Sequence, residues 1–201
     1  MHRCRFTLLR RQDLNKTVSI GKEEEMLIPV VIVISAMWLP VALLFLGKGE
    51  AKGTGFITGV VGALVLIGSI VHTAVFKDPV IPTLLFMHGT FYCAVSWALM
   101  TGQEDLRSVG NVSLATAIVS TIFMFLYITG GPVMDDGTQL IAPSKYLAMA
   151  CAGYALLTYM VWLNAFGKFP AKALAWSLII WVVVGLWIPG FWLLAAGTLP
   201  F

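Results

Sequence analysis

His88 and Tyr92 stand four residues apart in an otherwise apolar stretch, with Ser96 a further turn along, and Ser113, Thr116 and Ser120 recur at helical spacing in the next apolar stretch. Both patterns gather polar side chains on one face of a helix. A later run carries Tyr154, Thr158, Tyr159 and Asn164, and the last carries Trp176, Trp181, Trp187 and Trp192, of which Trp176 and Trp187 share a face, as do Trp181 and Trp192. This set performs no covalent chemistry. It contains no nucleophile–base pair; Cys93 and Cys151 lie inside apolar runs without ligand spacing; and His72 and His88, with no carboxylate nearby in sequence, make a poor metal site. The reading is therefore neither enzyme nor cofactor protein. Such groups can instead replace water around a small neutral solute without holding it tightly. The candidate lining is His88, Tyr92, Ser96, Thr116, Ser120, Tyr154, Thr158 and Trp181. The competing reading has the hydroxyls bonded to their own helix backbone and the tryptophans seated in interfacial belts.

The elements that must position these residues follow from composition. Of 201 residues, 59% are hydrophobic and 11% charged, with a mean hydropathy of +0.88, far outside the range of soluble domains. A helical span needs roughly 20 apolar residues, and six runs qualify: Met26–Leu46, Thr54–Phe76, Val80–Thr101, Val109–Thr129, Tyr146–Phe166 and Ala173–Ala196. The prediction is an all-α integral membrane protein with six transmembrane helices, residues 26–201 forming one transmembrane domain. A β-barrel is excluded, because "VVIVISAMWLPVALLFL" does not alternate as barrel strands do. None of the six runs contains Asp, Glu, Lys or Arg. Ion-coupled pumps usually keep an intramembrane carboxylate, so the pattern favours a passive path. Gly55-x-x-x-Gly59, followed by Gly62, gives the second helix a face for close packing.

Charge sets the expected sidedness. Lys48, Lys52, Arg107, Lys168 and Lys172 fall in loops 47–53, 102–108 and 167–172, against Lys77 and Lys145 on the other side. The positive-inside rule makes those three loops cytoplasmic and places both termini outside. Residues 1–25 carry six basic residues but no apolar core of signal-peptide length. Lys22-Glu23-Glu24-Glu25 can be encoded only by a purine tract directly before Met26, as a ribosome-binding site translated in frame would be. Translation is expected to start at Met26, leaving 1–25 as a non-native or disordered extension; the alternative is a basic arm on the membrane surface. From Met26 onward, seven basic residues face six acidic ones, a balance that suggests no nucleic-acid partner and leaves membrane lipids as the surroundings.

From Met26 to the last helix the sequence resembles the family of acid-activated urea channels and short-chain amide transporters (UreI/AmiS). The resemblance rests on "GKGEAK" at 47–52, "VVGAL" at 60–64, "VMDDG" at 133–137, Gly167-Lys168-Phe169, and Trp187-Ile188-Pro189 followed by "GFWLL". It implies three two-helix hairpins around a pore in each protomer, a homo-hexamer in the inner membrane, and urea or small aliphatic amides as solutes passing between aromatic rings. It also implies that hydrolysis is left to a separate cytoplasmic amidase or urease. "GKGEAK" and "GKFPAK" then resemble the cytoplasmic turns of the first and third hairpins, traces of an internal repeat.

The chain departs from the family's pattern in places. Trp181 stands where relatives often carry Glu, and the aromatic constriction of the fifth helix is represented by Tyr146, Tyr154, Tyr159 and Trp162. No histidine occurs at 77–79 or 130–145, so an acid gate built from outer histidines has no parts, and weak or absent pH dependence is expected. Asp135 and Asp136 are candidates for the pore mouth. Two alternatives stand beside the amide reading: a non-transporting membrane anchor or structural subunit, and a transporter of another small neutral solute.

Overall fold

The computed structural model describes residues 30, 32–77, 79–135 and 137–196. The N-terminal extension and the start of the first run lie outside the described residues. Six helices appear among those described: α1 (Ile32–Phe45), α2 (Ala51–Phe76), α3 (Val80–Thr101), α4 (Arg107–Thr129), α5 (Lys145–Ala165) and α6 (Ala171–Ala196). Five are long and apolar enough to cross a bilayer, and the described part of α1 is shorter. The helix bounds differ from the apolar runs mainly at the N-termini. Glu50 caps α2 by accepting hydrogen bonds from the Lys52 and Gly53 N–H groups at 2.6 and 2.7 Å, which draws Lys52 into the first turn. Arg107, Lys145 and Lys172 likewise sit in the first turns of their helices.

The turns after α1, α3 and α5 are built alike. Each begins with a left-handed glycine, Gly47 (φ 72°), Gly102 (φ 66°) and Gly167 (φ 68°). In each, the next residue donates its N–H to the carbonyl five residues back: Lys48 to Leu43 at 2.9 Å, Gln103 to Ala98 at 3.0 Å and Lys168 to Leu163 at 2.8 Å. This is the Schellman helix stop, for which glycine is suited because αL costs it nothing. The likeness of "GKGEAK" to "GKFPAK" therefore reflects a shared backbone geometry, and the middle turn, with a different sequence, is its third copy.

Helix packing follows the same period. Eight residues after the turn glycines stand Gly55, Gly110 and Ala175. Gly55 meets Leu99 and Met100 of α3, Gly110 meets Ala165 of α5, and Ala175 is fully buried. Hydrogen bonds join the same helix pairs and close the ring. Ser96 Oγ donates to the Gly55 carbonyl at 2.6 Å (α3 to α2), Ser113 Oγ to the Thr158 carbonyl at 2.7 Å (α4 to α5), and Trp187 Nε1 to Ser35 Oγ at 2.7 Å (α6 to α1). The even helices turn large apolar side chains outward, among them Leu64, Ile67, Phe125, Trp176 and Val184. The odd helices supply most of the interior.

α6 is not regular. Its middle, Trp181–Trp187, is a π-helical segment. The Trp181 ring occupies the space that Gly153 of α5 and Gly185 of α6 leave by lacking a Cβ.

The glycine contacts give a matched test. Gly62 faces backbone atoms of Gly89 and Cys93 at 3.2 and 3.1 Å from a built Cβ, whereas Gly68 has nothing within 4 Å. Gly62→Leu is expected to destabilise the detergent-solubilised protein by about 1–3 kcal/mol, as overpacking does, and Gly68→Leu to leave it nearly unchanged; thermal unfolding of the two variants checks this.

Candidate solute path

Four aromatic rings from the three odd helices close a cycle at mid-depth. Trp38 of α1 stands edge-on to Tyr92 (centroids 6.5 Å, 87°) and to Tyr154 (5.3 Å, 77°), while His88 meets Tyr92 at 5.7 Å and Tyr154 at 4.9 Å. None of the four is more than 6% exposed, so these polar rings face the bundle interior and not lipid. His88 is fixed from both sides: Nδ1 lies 3.1 Å from the Tyr92 hydroxyl and Nε2 3.0 Å from Ser120 Oγ on α4. Both hydroxyls can donate or accept, so either neutral tautomer is accommodated.

Two donors at the layer are left over. The Tyr154 hydroxyl is buried without a hydrogen-bond partner among the described residues. The Trp38 indole N–H neighbours the Tyr92 hydroxyl but closes no hydrogen bond of ordinary geometry. Native interiors seldom tolerate such groups, so each calls for an explanation.

A cavity lies on either side of the layer. On the side of residues 77–79 and 130–144, about 40 Å³ is enclosed by side chains that include Ile34, Leu84, His88, Tyr127, Cys151 and Tyr154. On the side of the three glycine turns, about 90 Å³ is enclosed by Trp38, Val41, Leu44, Phe91, Leu99, Thr158, Asn164 and other mostly apolar side chains. Each exceeds the ~10–15 Å³ that one water requires. Along α1, α3 and α5 the two linings divide at the layer: Leu84 and Leu85 lie on one side of it and Val95 and Leu99 on the other. Beyond the larger cavity an open depression reaches solvent, lined by Glu104, Asp105, Leu106, Arg107, Asn164, Ala165, Phe166 and Gly167.

The structure brings His88, Tyr92, Ser120 and Tyr154 together, and Thr158 lines the larger cavity beside them. Ser96 lies at the α2–α3 contact, bonded to Gly55. Thr116 is buried and donates to the Val112 carbonyl of its own helix at 2.9 Å. Trp181 packs against Gly153 and lines neither cavity. Asp135 is exposed at the tip of a tight turn in which Met134 N–H donates to the Thr138 carbonyl at 2.7 Å; Asp136 lies outside the described residues. Trp38 is the site residue the sequence reading omits. Its signal was available, because a tryptophan twelve residues into an apolar run is too deep for an interfacial belt.

The fold and this interior define an all-α membrane bundle of six helices. The chain is similar in structure to the urea channel of Helicobacter pylori. It superposes on the closed state of that channel, seen by electron cryomicroscopy, with a TM-score of 0.69 and 20% identity, over 86% of this chain and 100% of the other. On the crystal structure of the same channel the TM-score is 0.68 at 20% identity, over 85% and 98% of the two chains. No protein-family model matches the sequence, and no curated protein does. The likeness is one of fold, and it covers the other chain essentially end to end.

The bonding around His88 generates a prediction. Ser120→Ala leaves a buried imidazole nitrogen unpaired and is expected to cost about 1–3 kcal/mol, whereas Thr116→Val removes only a bond within one helix and should cost less. Thermal unfolding of the purified variants measures the difference.

Proposed function

We propose that the protein is a passive channel for urea or short-chain aliphatic amides across the cytoplasmic membrane, with little or no acid gating. One observation carries the reading: a ring of His88, Tyr92, Tyr154 and Trp38 that separates two cavities and holds, among the described residues, a Tyr154 hydroxyl without a hydrogen-bond partner and a Trp38 N–H that neighbours the Tyr92 hydroxyl without closing a bond of ordinary geometry. A carbonyl oxygen passing the layer would accept from Trp38 Nε1 and the Tyr154 hydroxyl, while its flat, neutral frame slides between ring edges. Hydrated ions find no charge there to replace their water. Urea is the solute named for the structural neighbour, and the match of fold over nearly the whole chain supports transfer of that class to this protein.

The remaining parts of the proposal rest on the sequence. The lysine- and arginine-bearing turns lie in the cytoplasm, both termini lie outside, protomers assemble as a homo-hexamer, and a separate amidase or urease consumes the solute. Asp135 and Asp136 stand at the outer mouth. The pH response is weak because the outer loops lack histidine. At the inner depression, Arg107 hydrogen bonds hold the Asp105 carboxyl down to about 2, so that carboxylate stays ionised throughout the physiological range and contributes no switch.

The closed aromatic layer favours one other reading, a membrane anchor that moves nothing. Stopped-flow light scattering on proteoliposomes of the full chain separates the two. Urea or acetamide should equilibrate faster than glycerol, with similar rates at about pH 7.5 and about pH 5.5, either side of the usual histidine range. Rates equal to those of empty vesicles would establish the anchor, and a sharp rise toward acid would overturn the ungated channel.

A further inference from the structure

We propose that the path opens on the turn side laterally, between the turn before α4 and the end of α5, and that Asn164 is the polar station at that opening. The proposal rests on the channel reading above. The 90 Å³ cavity and the open depression have Leu106, Asn164 and Ala165 in common. Those three residues stand where the two spaces meet.

The three-fold repeat shows what is special about one of them. Three residues before the turn glycines stand Leu44, Leu99 and Asn164, and all three line the cavity. Two of the equivalent positions close the interior with leucine. The third carries an amide, so the ring is polar only toward the α4–α5 edge, which is where the depression lies.

The orientation of that amide is set. Asn164 Nδ2 donates to the Phe169 carbonyl at 2.8 Å, and since a carbonyl can only accept, this fixes which end of the side chain is the NH₂. The Asn164 carboxamide oxygen makes no hydrogen bond among the described residues, leaving an acceptor for a solute N–H. It complements the two donors at the aromatic layer: donors meet the solute's C=O at mid-depth, and an acceptor meets its N–H at the exit. Asp105 and Arg107 neutralise each other there through contacts of 2.6 and 2.9 Å, which leaves Glu104 as the one unpaired charge among the residues lining the depression. Leu106, where the two spaces meet, supplies an apolar door.

The test uses the full chain with Cys4, Cys93 and Cys151 changed to alanine, carrying either Asn164→Cys or Leu44→Cys, in proteoliposomes exposed to a charged, membrane-impermeant thiol reagent on the turn side. Intact mass reads labelling, and light scattering reads flux. The thiol at 164 is expected to label readily, more slowly with excess acetamide present, and labelling to slow amide flux; the thiol at 44 should label far more slowly. Equal or faster labelling at 44, or labelling at 164 that leaves flux unchanged, would overturn the lateral exit. Asn164→Leu completes the leucine ring and should lower amide flux about tenfold, the equivalent of one lost hydrogen bond, while Asn164→Gln keeps most of it. Unchanged flux in Asn164→Leu would remove the station role. A protein that labels at 164 in the expected pattern yet conducts nothing in its unsubstituted form would sink the channel reading and leave the opening standing.

Discussion

Within a bilayer core each polar group must be satisfied by the protein itself, since no water is available to do it. Many of the described serine and threonine hydroxyls meet that demand in one of two ways. Thr58, Ser69, Thr121 and Thr158 donate to carbonyls one turn back in their own helices at 2.7–2.8 Å, which costs the bundle nothing and tells it nothing about its neighbours. Ser96, Ser113 and Ser35 instead take part in bonds between helices. Those few bonds, together with the glycine faces, hold α2 to α3, α4 to α5 and α6 to α1, so the hairpins are locked by contacts between them. Interhelical hydrogen bonds in membranes are worth only about 0.6–2 kcal/mol each; their value here lies in fixing register, with close glycine packing supplying the dispersion that aligns the backbones.

A three-fold frame with one hairpin per repeat explains why the interior belongs to the odd helices and the lipid surface to the even ones. On the channel reading proposed above, function enters where the repeat is broken. Ten residues before the turn glycines stand Met37, Tyr92 and Leu157, all buried, and only the second carries a polar group. Its hydroxyl reaches His88 and through it Ser120. Three residues before the glycines the odd member is Asn164. The apolar copies keep the bundle closed, and the polar copies mark a line through it from the aromatic layer to the edge of α4 and α5.

Much of this was legible in the sequence because membrane helices are specified by long apolar runs. All six elements could be read, and the two matching turns pointed to a repeat. The third turn was hidden because the Schellman geometry needs only its glycine: "GQEDLR" at 102–107 shares that residue and little else with "GKGEAK". His88, Tyr92, Ser120 and Tyr154 were recognisable from helical spacing, which puts polar groups on a face but cannot say which faces converge. Trp181 and Ser96 show the limit. Ser96 continues the spacing of His88 and Tyr92 and Trp181 shares a face with Trp192, yet Trp181 fills a glycine notch and Ser96 ties two helices together. Trp38 stands among apolar neighbours, with only Ser35 at helical spacing to mark its face.

On the channel reading proposed above, the open donors at the layer would let it be both tight and permissive. A layer whose every polar group was satisfied internally would offer a passing amide nothing in exchange for its lost water, and the barrier would be the full desolvation of the solute. Leaving the Tyr154 hydroxyl without a partner among the described residues and the Trp38 N–H short of a bond of ordinary geometry raises the energy of the empty protein and so would lower the cost of occupation by a carbonyl. Strong, fully convergent donors would trap the solute; one indole N–H and one phenol, each a neutral donor, return only part of its hydration. The strain of two buried, unsatisfied groups is tolerable because His88 is held by Ser120 and Tyr92, and because Trp187, bonded to Ser35 one turn before Trp38, holds α1 against α6. The π-helical segment matters for the same reason. By wedging Trp181 beside Gly153 and ending at Trp187, it sets α5 and α1 against one helix, and these are the two helices whose rings, Tyr154 and Trp38, carry the open donors.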